Sequence, residues 1–433
     1  MREVLQQKIA DGLTMSPPPF TRRDAHLPMV PGKAMAVIGM RRGGKTTFLW
    51  QCMADRIAAG AAREALLYIN FEDERLMDLR PDDLTWLVEA YFRRFPHLRD
   101  AGQVGFFFDE IQTAPGWETF ARRLMDTERA DVFLTGSSAR LLSREVATSM
   151  RGRAMEVLIH PFSFREALRH ANAEPDRPFS RLPKAARSDL DGRLRDYLKT
   201  GGFPEAQSAP ARDRAALLRT YVDVAILRDV IERHDISNTV ALRWLQRHLL
   251  ANPASSFSIQ KFYDALRSQG IPVSRDTLHA FLSHLEDTFL IRTVYLHTAS
   301  ERKRMVNPKK AYPVDPGLIP VYERTGKANT GRALETVVLV ELERRGCEIA
   351  YFRTEGGYEV DFLSRDPEGD WTLIQVCADL SVPATREREV RALLAAASEF
   401  PDAMPLLLTL DSMPPPTLPE PIRWRPAADW LLG

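Results

Sequence analysis

The sequence predicts an α/β fold built on a parallel sheet. Three stretches of the 433-residue chain predict it. The apolar run Ala34–Ile38 leads into a glycine-rich turn, Gly39–Gly44, and then into helical apolar spacing from Thr47 to Ile57. The run Val104–Phe108 is continuously apolar and ends in Asp109-Glu110, as expected of a strand buried on both faces. The run Asp131–Thr135 is a further strand, closing on Gly136-Ser137-Ser138. Acids and hydroxyls at the C-terminal tips of parallel strands lie where ligands bind in open α/β sheets.

Taken in order, residues 1–15 read as a short helix that Ser16-Pro17-Pro18-Pro19 ends. The polar segment to Gly32 is expected to wrap onto the sheet domain. Gly39–Thr46 fits G-x-x-x-x-G-K-[ST], with strand and helix on the correct sides. Gly39 and Gly44 allow backbone conformations closed to other residues, so N–H groups can converge on an anion. ATP is the expected ligand, cradled by Gly39, Arg41, Arg42, Gly43, Gly44, Lys45, Thr46 and Thr47. Lys45 would reach the β- and γ-phosphates, and the Thr46 hydroxyl would hold Mg²⁺.

Ala65–Asn70 is the second strand, and Asp83–Phe95 is helical. At the tip of the next strand, Asp109 would hold Mg²⁺ through water and Glu110 would orient the attacking water. Ser137, with Ser138 as second choice, would contact the γ-phosphate or that water, although either serine also suits a helix N-cap. Arg140–Met150 reads as helix. Arg151 or Arg153 is a candidate arginine finger reaching a neighbouring subunit's nucleotide, with a surface ion pair as the alternative. Residues 155–220 read as mostly helical, a small lid with a turn at Thr200–Glu205, and Asp223–His234 continues as a charged helix.

From Val240 the pattern changes to helix (Ala241–Leu250), helix (Phe257–Gln269), turn, helix (Ser274–Glu286) and strand (Phe289–Tyr295). That order is a winged helix-turn-helix, whose third helix would enter a DNA major groove. Leu278, Phe281, Leu282 and Leu285 share its core face. Arg275, Thr277, His279 and Ser283 lie on the other. A ribbon loop carries Arg302-Lys303-Arg304, followed by Lys309-Lys310. Residues 221–310 hold 13 Lys+Arg against 9 Asp+Glu, a modest footprint that is sufficient for phosphate contacts. The alternative is a winged helix used only for protein packing.

The last part reads as a small α/β unit: helix Gly331–Arg345, a hairpin around Gly356-Gly357, strand Trp371–Cys377, helix Arg386–Glu399 and strand Leu406–Leu410. Glu335, Asp361 and Gln375 would converge if these strands are neighbours. This is the layout of a metal-dependent nuclease of the restriction-endonuclease fold, where a lysine follows two positions after the second acid or glutamine. Here that position is Cys377, and a thiol cannot stabilise charge as an ammonium does. From Gly331 onward the chain carries 10 Lys+Arg against 18 Asp+Glu, which opposes DNA approach. A degenerate, structural or interaction domain is the expectation.

Whole-chain composition excludes little beyond this. Net charge is +1, which names no partner. The three cysteines, Cys52, Cys347 and Cys377, lack paired spacing, so neither a disulfide framework nor a cysteine-rich zinc site is expected. No apolar run approaches the ~18 residues of a membrane span, and the first 30 residues have no signal core. A cytoplasmic protein with no membrane partner is expected.

The chain resembles the bacterial and archaeal AAA+ ATPases that pair an AAA-type core with the domain of unknown function numbered 4143. The matching stretches are Gly39–Thr47, Phe106–Gln112 with Pro115-Gly116-Trp117, Leu134–Ser138 with Gly152-Arg153, and Pro161–Phe164. Gly201–Glu205, Val314–Leu318 and Glu359–Phe362 with Gln375-Val376 match as well. The resemblance implies a P-loop AAA+ core, ATP hydrolysis, a homo-oligomer such as a hexameric ring, and a winged-helix plus nuclease-like C-terminal region. The chain departs from the nuclease pattern at Cys377.

The expected division is an AAA+ core at 1–160, a helical lid at 161–235, a winged helix-turn-helix at 236–310 and a degenerate nuclease-like α/β domain at 311–433. The expected function is an ATP-driven motor or switch that remodels or translocates DNA, branched DNA included. A signalling or scaffold NTPase with a protein-binding C-terminal domain is the alternative, followed by an ATP-dependent nuclease.

Overall fold

The computed structural model describes residues 1–28, 30–100, 104–136, 150, 152–323, 329–415 and 417–433. The chain forms two compact units, Met1–Ile159 and His160–Gly433.

The first unit is a five-stranded parallel sheet with helices on its faces. Its strands are β1 (Ala34–Ile38), β2 (Leu66–Asn70), β3 (Val104–Asp109), β4 (Ala130–Thr135) and β5 (Ala154–Leu158), in the spatial order β2-β3-β4-β1-β5. Strand β4 is thus inserted between the strand before the glycine-rich turn and the strand that ends in acids. All residues of β1 and β3 are buried, which explains their unbroken apolar runs. Among the described residues four helices accompany the strands: α1 (Arg2–Thr14), α2 (Lys45–Ala58), α3 (Pro81–Arg94) and α4 (Trp117–Thr127). Stacked Phe107 and Phe133 join β3 to β4 in the core, with ring centroids 4.6 Å apart.

The expectation of helix from residue 155 onward is corrected here. Ala154–Leu158 pairs in parallel with β1 along its whole length, from Ala34 opposite Ala154 to Ile38 opposite Leu158. This strand is an edge and only Val157 is fully buried, so it lacks the continuous apolar signal of its neighbours.

The second unit opens with α5 (Phe164–His170), α6 (Lys184–Thr200) and α7 (Ala211–Val224). The last of these continues through a π-helical stretch, Ala225–Ile231. Three helices follow, α8 (Thr239–Ala251), α9 (Ile259–Ser268) and α10 (Arg275–Asp287), with an antiparallel sheet of β6 (Ser255–Phe257), β7 (Ile291–Val294) and β8 (Lys309–Pro313) in the order β6-β8-β7. Ser258 and Ser274 cap α9 and α10, accepting the N–H groups of Lys261 and Thr277. Leu278, Phe281, Leu282 and Leu285 are buried, as their spacing predicts. Arg302, Lys303 and Arg304 sit on a short exposed helix, α11 (Glu301–Val306), rather than in an open ribbon loop. Ser300 caps this helix through the Lys303 N–H.

After the one-turn helix α12 (Ile319–Tyr322) come α13 (Thr330–Arg344) and a mixed sheet in the order β13-β12-β11-β10-β9. Its strands are β9 (Glu348–Arg353), β10 (Glu359–Arg365), β11 (Trp371–Cys377), β12 (Ala403–Thr409) and β13 (Arg423–Pro426). Strands β9 to β11 run antiparallel, and β11 to β13 run parallel. Helix α14 (Pro383–Glu399) connects β11 to β12, and α15 (Ala427–Leu431) ends the chain. The register of β9 on β10 shifts between Val360 and Leu363, a bulge at Asp361.

Candidate functional site

Among the described residues, the candidates for a nucleotide site assemble at the C-terminal tips of β1, β3 and β4. The turn after β1 needs its glycines. Gly39 has φ +143° and Gly44 φ +101°. A Cβ on Gly39 would lie 2.2 Å from the Ile159 carbonyl oxygen, so β1 and β5 can separate at this point only around a glycine. Helix α2 begins at Lys45, and its first N–H groups face the turn.

Lys45 is buried, and its ammonium donates to the Gly39 and Met40 carbonyls at 3.1 and 3.2 Å. The Arg23 guanidinium donates to the Gly43 carbonyl at 2.9 Å, and Gln51 bonds both the N–H and the C=O of Arg23. The polar N-terminal segment therefore braces the turn from outside, as expected of it. Arg41 lies 3.9 Å from the Glu72 carboxylate, and Arg42 is exposed with φ +64°. Thr47 is half-buried in the first turn of α2.

Asp109 is 1% exposed and is surrounded by hydroxyl donors. Thr46 and Tyr68 donate to its Oδ2 at 2.9 and 2.8 Å, and Thr135 donates to its Oδ1. Burial, and then the Asp109 charge, pushes the Tyr68 hydroxyl well above its ordinary range, so it remains a donor. Thr135 also accepts the Glu110 N–H at 2.9 Å. Glu110 itself has φ +53°, in the left-handed region, and its carboxylate accepts from the Gln112 amide at 2.5 Å. One threonine thus fixes both acids at the end of β3. The Thr46 hydroxyl and Asp109 carboxylate are hard oxygen donors within 2.9 Å of each other, a set that fits Mg²⁺ held partly through water.

Sequence reasoning did not single out Tyr68, Thr135, Gln112 or Arg23. Thr135 stood in plain view at a strand tip, but the hydroxyls of Ser137 and Ser138 drew the sensor assignment. Ser137, Ser138 and Arg151 lie outside the described residues. Arg153 is half-exposed and ion-paired with Asp126.

On α10, Arg275 and His279 are exposed, and Arg275 donates to Gln260 at 3.1 Å. The Thr277 hydroxyl is 2.8 Å from that of Ser274. Arg304 and Lys309 lie over the Tyr295 ring at 5.0 and 4.5 Å. Lys310 does not extend this basic surface. It is buried, and it points toward the C-terminal sheet.

There the expected convergence of Glu335, Asp361 and Gln375 is found, with additional members. Lys310 Nζ lies 3.1 Å from Glu335, 3.1 Å from Glu359 and 3.0 Å from Asp361. The Tyr312 hydroxyl donates to Glu335 at 2.6 Å, and the Val376 N–H donates to Asp361 at 3.0 Å. Gln375 accepts the Asp361 N–H at 3.4 Å and donates to Glu389 at 2.7 Å. Burial by itself lowers the Lys310 ammonium, yet Asp361, Glu335 and Glu359 hold it above its ordinary value. Burial pushes the Cys377 thiol up to about 11, so it supplies neither thiolate nor cation. Among the described residues no group of His, Cys, Asp and Glu is arranged to hold a metal ion.

Glycine-rich turn, paired acids and inserted strand define the class, and residues 31–168 match the family model described as an AAA domain. Residues 191–327 match a domain of unknown function, numbered 8612 rather than the 4143 of the resemblance. The chain is 34% identical over 374 residues to the uncharacterized protein MJ1544 of Methanocaldococcus jannaschii, covering 86% of this chain and 80% of that protein. It belongs to the same family as MJ1544. An uncharacterized protein of Haemophilus influenzae is 29% identical over 76% of this chain and 78% of its own length. Among solved structures, the Walker-type ATPase PABY2304 of Pyrococcus abyssi aligns with 74% of this chain and 95% of its own, at 18% identity and a TM-score of 0.38. No helix among the described residues is long and apolar enough to cross a membrane.

Proposed function

We propose that this chain is an ATP-hydrolysing AAA+ protein that works as an oligomeric motor or switch on DNA, remodelling or translocating it, branched DNA included. The observation that carries the ATPase half is the bonding of Thr46 and Thr135 to Asp109 beside Glu110. Backbone N–H groups of Gly39–Thr47 cradle the phosphates of ATP. Lys45 exchanges the Gly39 and Met40 carbonyls for the β- and γ-phosphate oxygens. Thr46 and Asp109 would hold Mg²⁺, which supplies charge neutralisation at the phosphates when bound. Glu110 orients the attacking water and accepts its proton, and Ser137 contacts the γ-phosphate or that water. Arg151 or Arg153 completes the site of a neighbouring subunit in a homo-oligomer such as a hexameric ring.

The DNA half rests on the three helices and antiparallel sheet of residues 236–310, read as a winged helix-turn-helix between a helical lid (161–235) and a nuclease-like domain (311–433). Exposed Arg275 and His279, with half-buried Thr277, would face the major groove, and Arg302, Lys303 and Arg304 would contact phosphates. Lys45→Ala should abolish ATP turnover. Purified protein should bind duplex or forked DNA with an affinity that falls as salt rises. No salt-sensitive binding, with or without ATP, would remove the DNA half and leave the ATPase half standing.

A second reading, a scaffold NTPase that recruits a protein partner, is favoured by the acidic last quarter of the chain, with 18 acids against 10 bases from Gly331 onward. ATP turnover indifferent to DNA, together with a defined protein partner, would select it. An ATP-dependent nuclease is the least supported reading, because Cys377 is neutral and Lys310 fills the acid cluster.

A further inference from the structure

The acid cluster of the C-terminal sheet contains a cation of its own, brought from a different sheet. Lys310 belongs to β8, which packs on α8, and lies 25 residues before Glu335 and 51 before Asp361. Its ammonium donates to Glu335 and Asp361 at 3.1 and 3.0 Å and lies 3.1 Å from the Glu359 carboxylate. The side chain is 4% exposed.

The carboxylates are clamped from behind. Tyr312 holds Glu335 at 2.6 Å, Arg353 holds Glu359 at 2.8 Å, and the Val376 N–H holds Asp361 at 3.0 Å. Oxygens 3.0–3.1 Å from the central atom suit an ammonium, whereas a small divalent cation requires about 2.0–2.2 Å. Charge gives the same answer. Burial raises the Glu335 carboxyl to about 7; counted as ionised, Glu335, Glu359 and Asp361 face Lys310 and Arg353, an excess of a single negative charge. Without Lys310 the excess is two, the charge of a divalent ion.

We propose that the Lys310 ammonium is the resident cation of this centre. It occupies the position a divalent metal ion would take, excludes metal while it is there, and ties β8 to α13 and β10. The centre becomes a divalent-cation site only when Lys310 is withdrawn. Backbone bonds run beside the same joint: the His297 N–H donates to the Tyr351 carbonyl at 2.8 Å, and the Tyr351 N–H to the Tyr295 carbonyl at 2.9 Å. Lys310 is therefore the charged rivet of a seam between the sheet under α10 and the C-terminal sheet. The proposal is independent of ATP hydrolysis and of DNA binding.

The test uses the full chain without nucleotide and counts bound Mn²⁺ by electron paramagnetic resonance, in wild type, Asp361→Asn, Lys310→Met and the double variant. Wild type and Asp361→Asn should bind Mn²⁺ equally, since any ion at the phosphate loop is common to both. Lys310→Met should take up an additional ion that the double variant lacks, and Mn²⁺ should raise its Tm without moving that of wild type. Lys310→Gln, neutral and of similar reach, repeats the measurement if the methionine variant does not fold. Asp361-dependent Mn²⁺ uptake by wild type would overturn the proposal, and so would folded Lys310 variants that gain no ion.

Discussion

The nucleotide site and the C-terminal acid cluster both bury carboxylates beside a lysine, yet they are neutralised in opposite ways. Asp109 is met by the hydroxyls of Thr46, Tyr68 and Thr135, while Lys45 donates to two main-chain carbonyls. Glu335, Glu359 and Asp361 are met by an ammonium at 3.0–3.1 Å. Hydroxyl donors stabilise a carboxylate without cancelling its charge, so the first site keeps a demand for a cation. The second has satisfied that demand internally. The same residue types make a site ready for ligand in one place and a joint in the other. What differs is whether the lysine faces carbonyls or carboxylates.

Four measurements would break or sharpen this contrast. The largest effect is expected at Glu110. Glu110→Gln keeps the hydrogen-bonding shape and removes the base, so ATP should still bind while turnover falls by about 10²–10⁴-fold, read in a steady-state phosphate-release assay. Equal loss of binding would mean that Glu110 builds the site rather than acting on water.

Next is Lys310→Met, which strands buried carboxylates and should cost about 3–5 kcal/mol in metal-free urea unfolding. A change near zero would show that the cluster sheds its charge without its lysine. Third, Thr135→Val retains shape but removes one donor to Asp109 and the acceptor of the Glu110 N–H. It should cost about 1–3 kcal/mol and slow ATP turnover. Unchanged turnover would place Thr135 outside the catalytic machinery.

The smallest effect concerns a third buried acid, held by two backbone N–H groups and near the Arg344 charge. Asp315 accepts the N–H groups of Gly202 and Gly317 at 2.6 and 2.9 Å, and burial, working against those two bonds, pushes its carboxyl up to about 7. An acid raised in the folded state keeps a proton that the unfolded chain has lost between about pH 4 and about pH 7. Its contribution to stability should therefore fall as pH rises through that window and level off above it. Asp315→Asn should flatten this slope in urea midpoints taken at about pH 5 and about pH 8. An unchanged slope would assign the pH dependence to other groups.

Much of the nucleotide site was legible because its parts are contiguous. Gly39, Gly44, Lys45 and Thr46 lie within eight residues, Asp109 and Glu110 are adjacent, and apolar runs mark their strands. The apolar face of α10 and the acids Glu335 and Asp361 could be read for the same reason, since helix and strand periods repeat over a few residues. Edge strand β5 was missed because an edge does not impose a continuous apolar run. Tyr68 was missed because only the pairing of β2 with β3 carries its hydroxyl to Asp109.

By itself, then, the sequence determined a phosphate-binding turn, a strand ending in two acids, a three-helix unit with a buried apolar face, and a later pair of acids without the expected lysine. Tertiary structure alone decided that β4 would stand between β1 and β3, which puts Thr135 on both acids. It alone decided that Lys310, from a strand in another sheet, would sit among Glu335, Glu359 and Asp361. The physical reason is range. Turn and period are set by backbone geometry over a few residues, whereas the partner of a buried charge is set by which strands pair and which side chain is left to neutralise it.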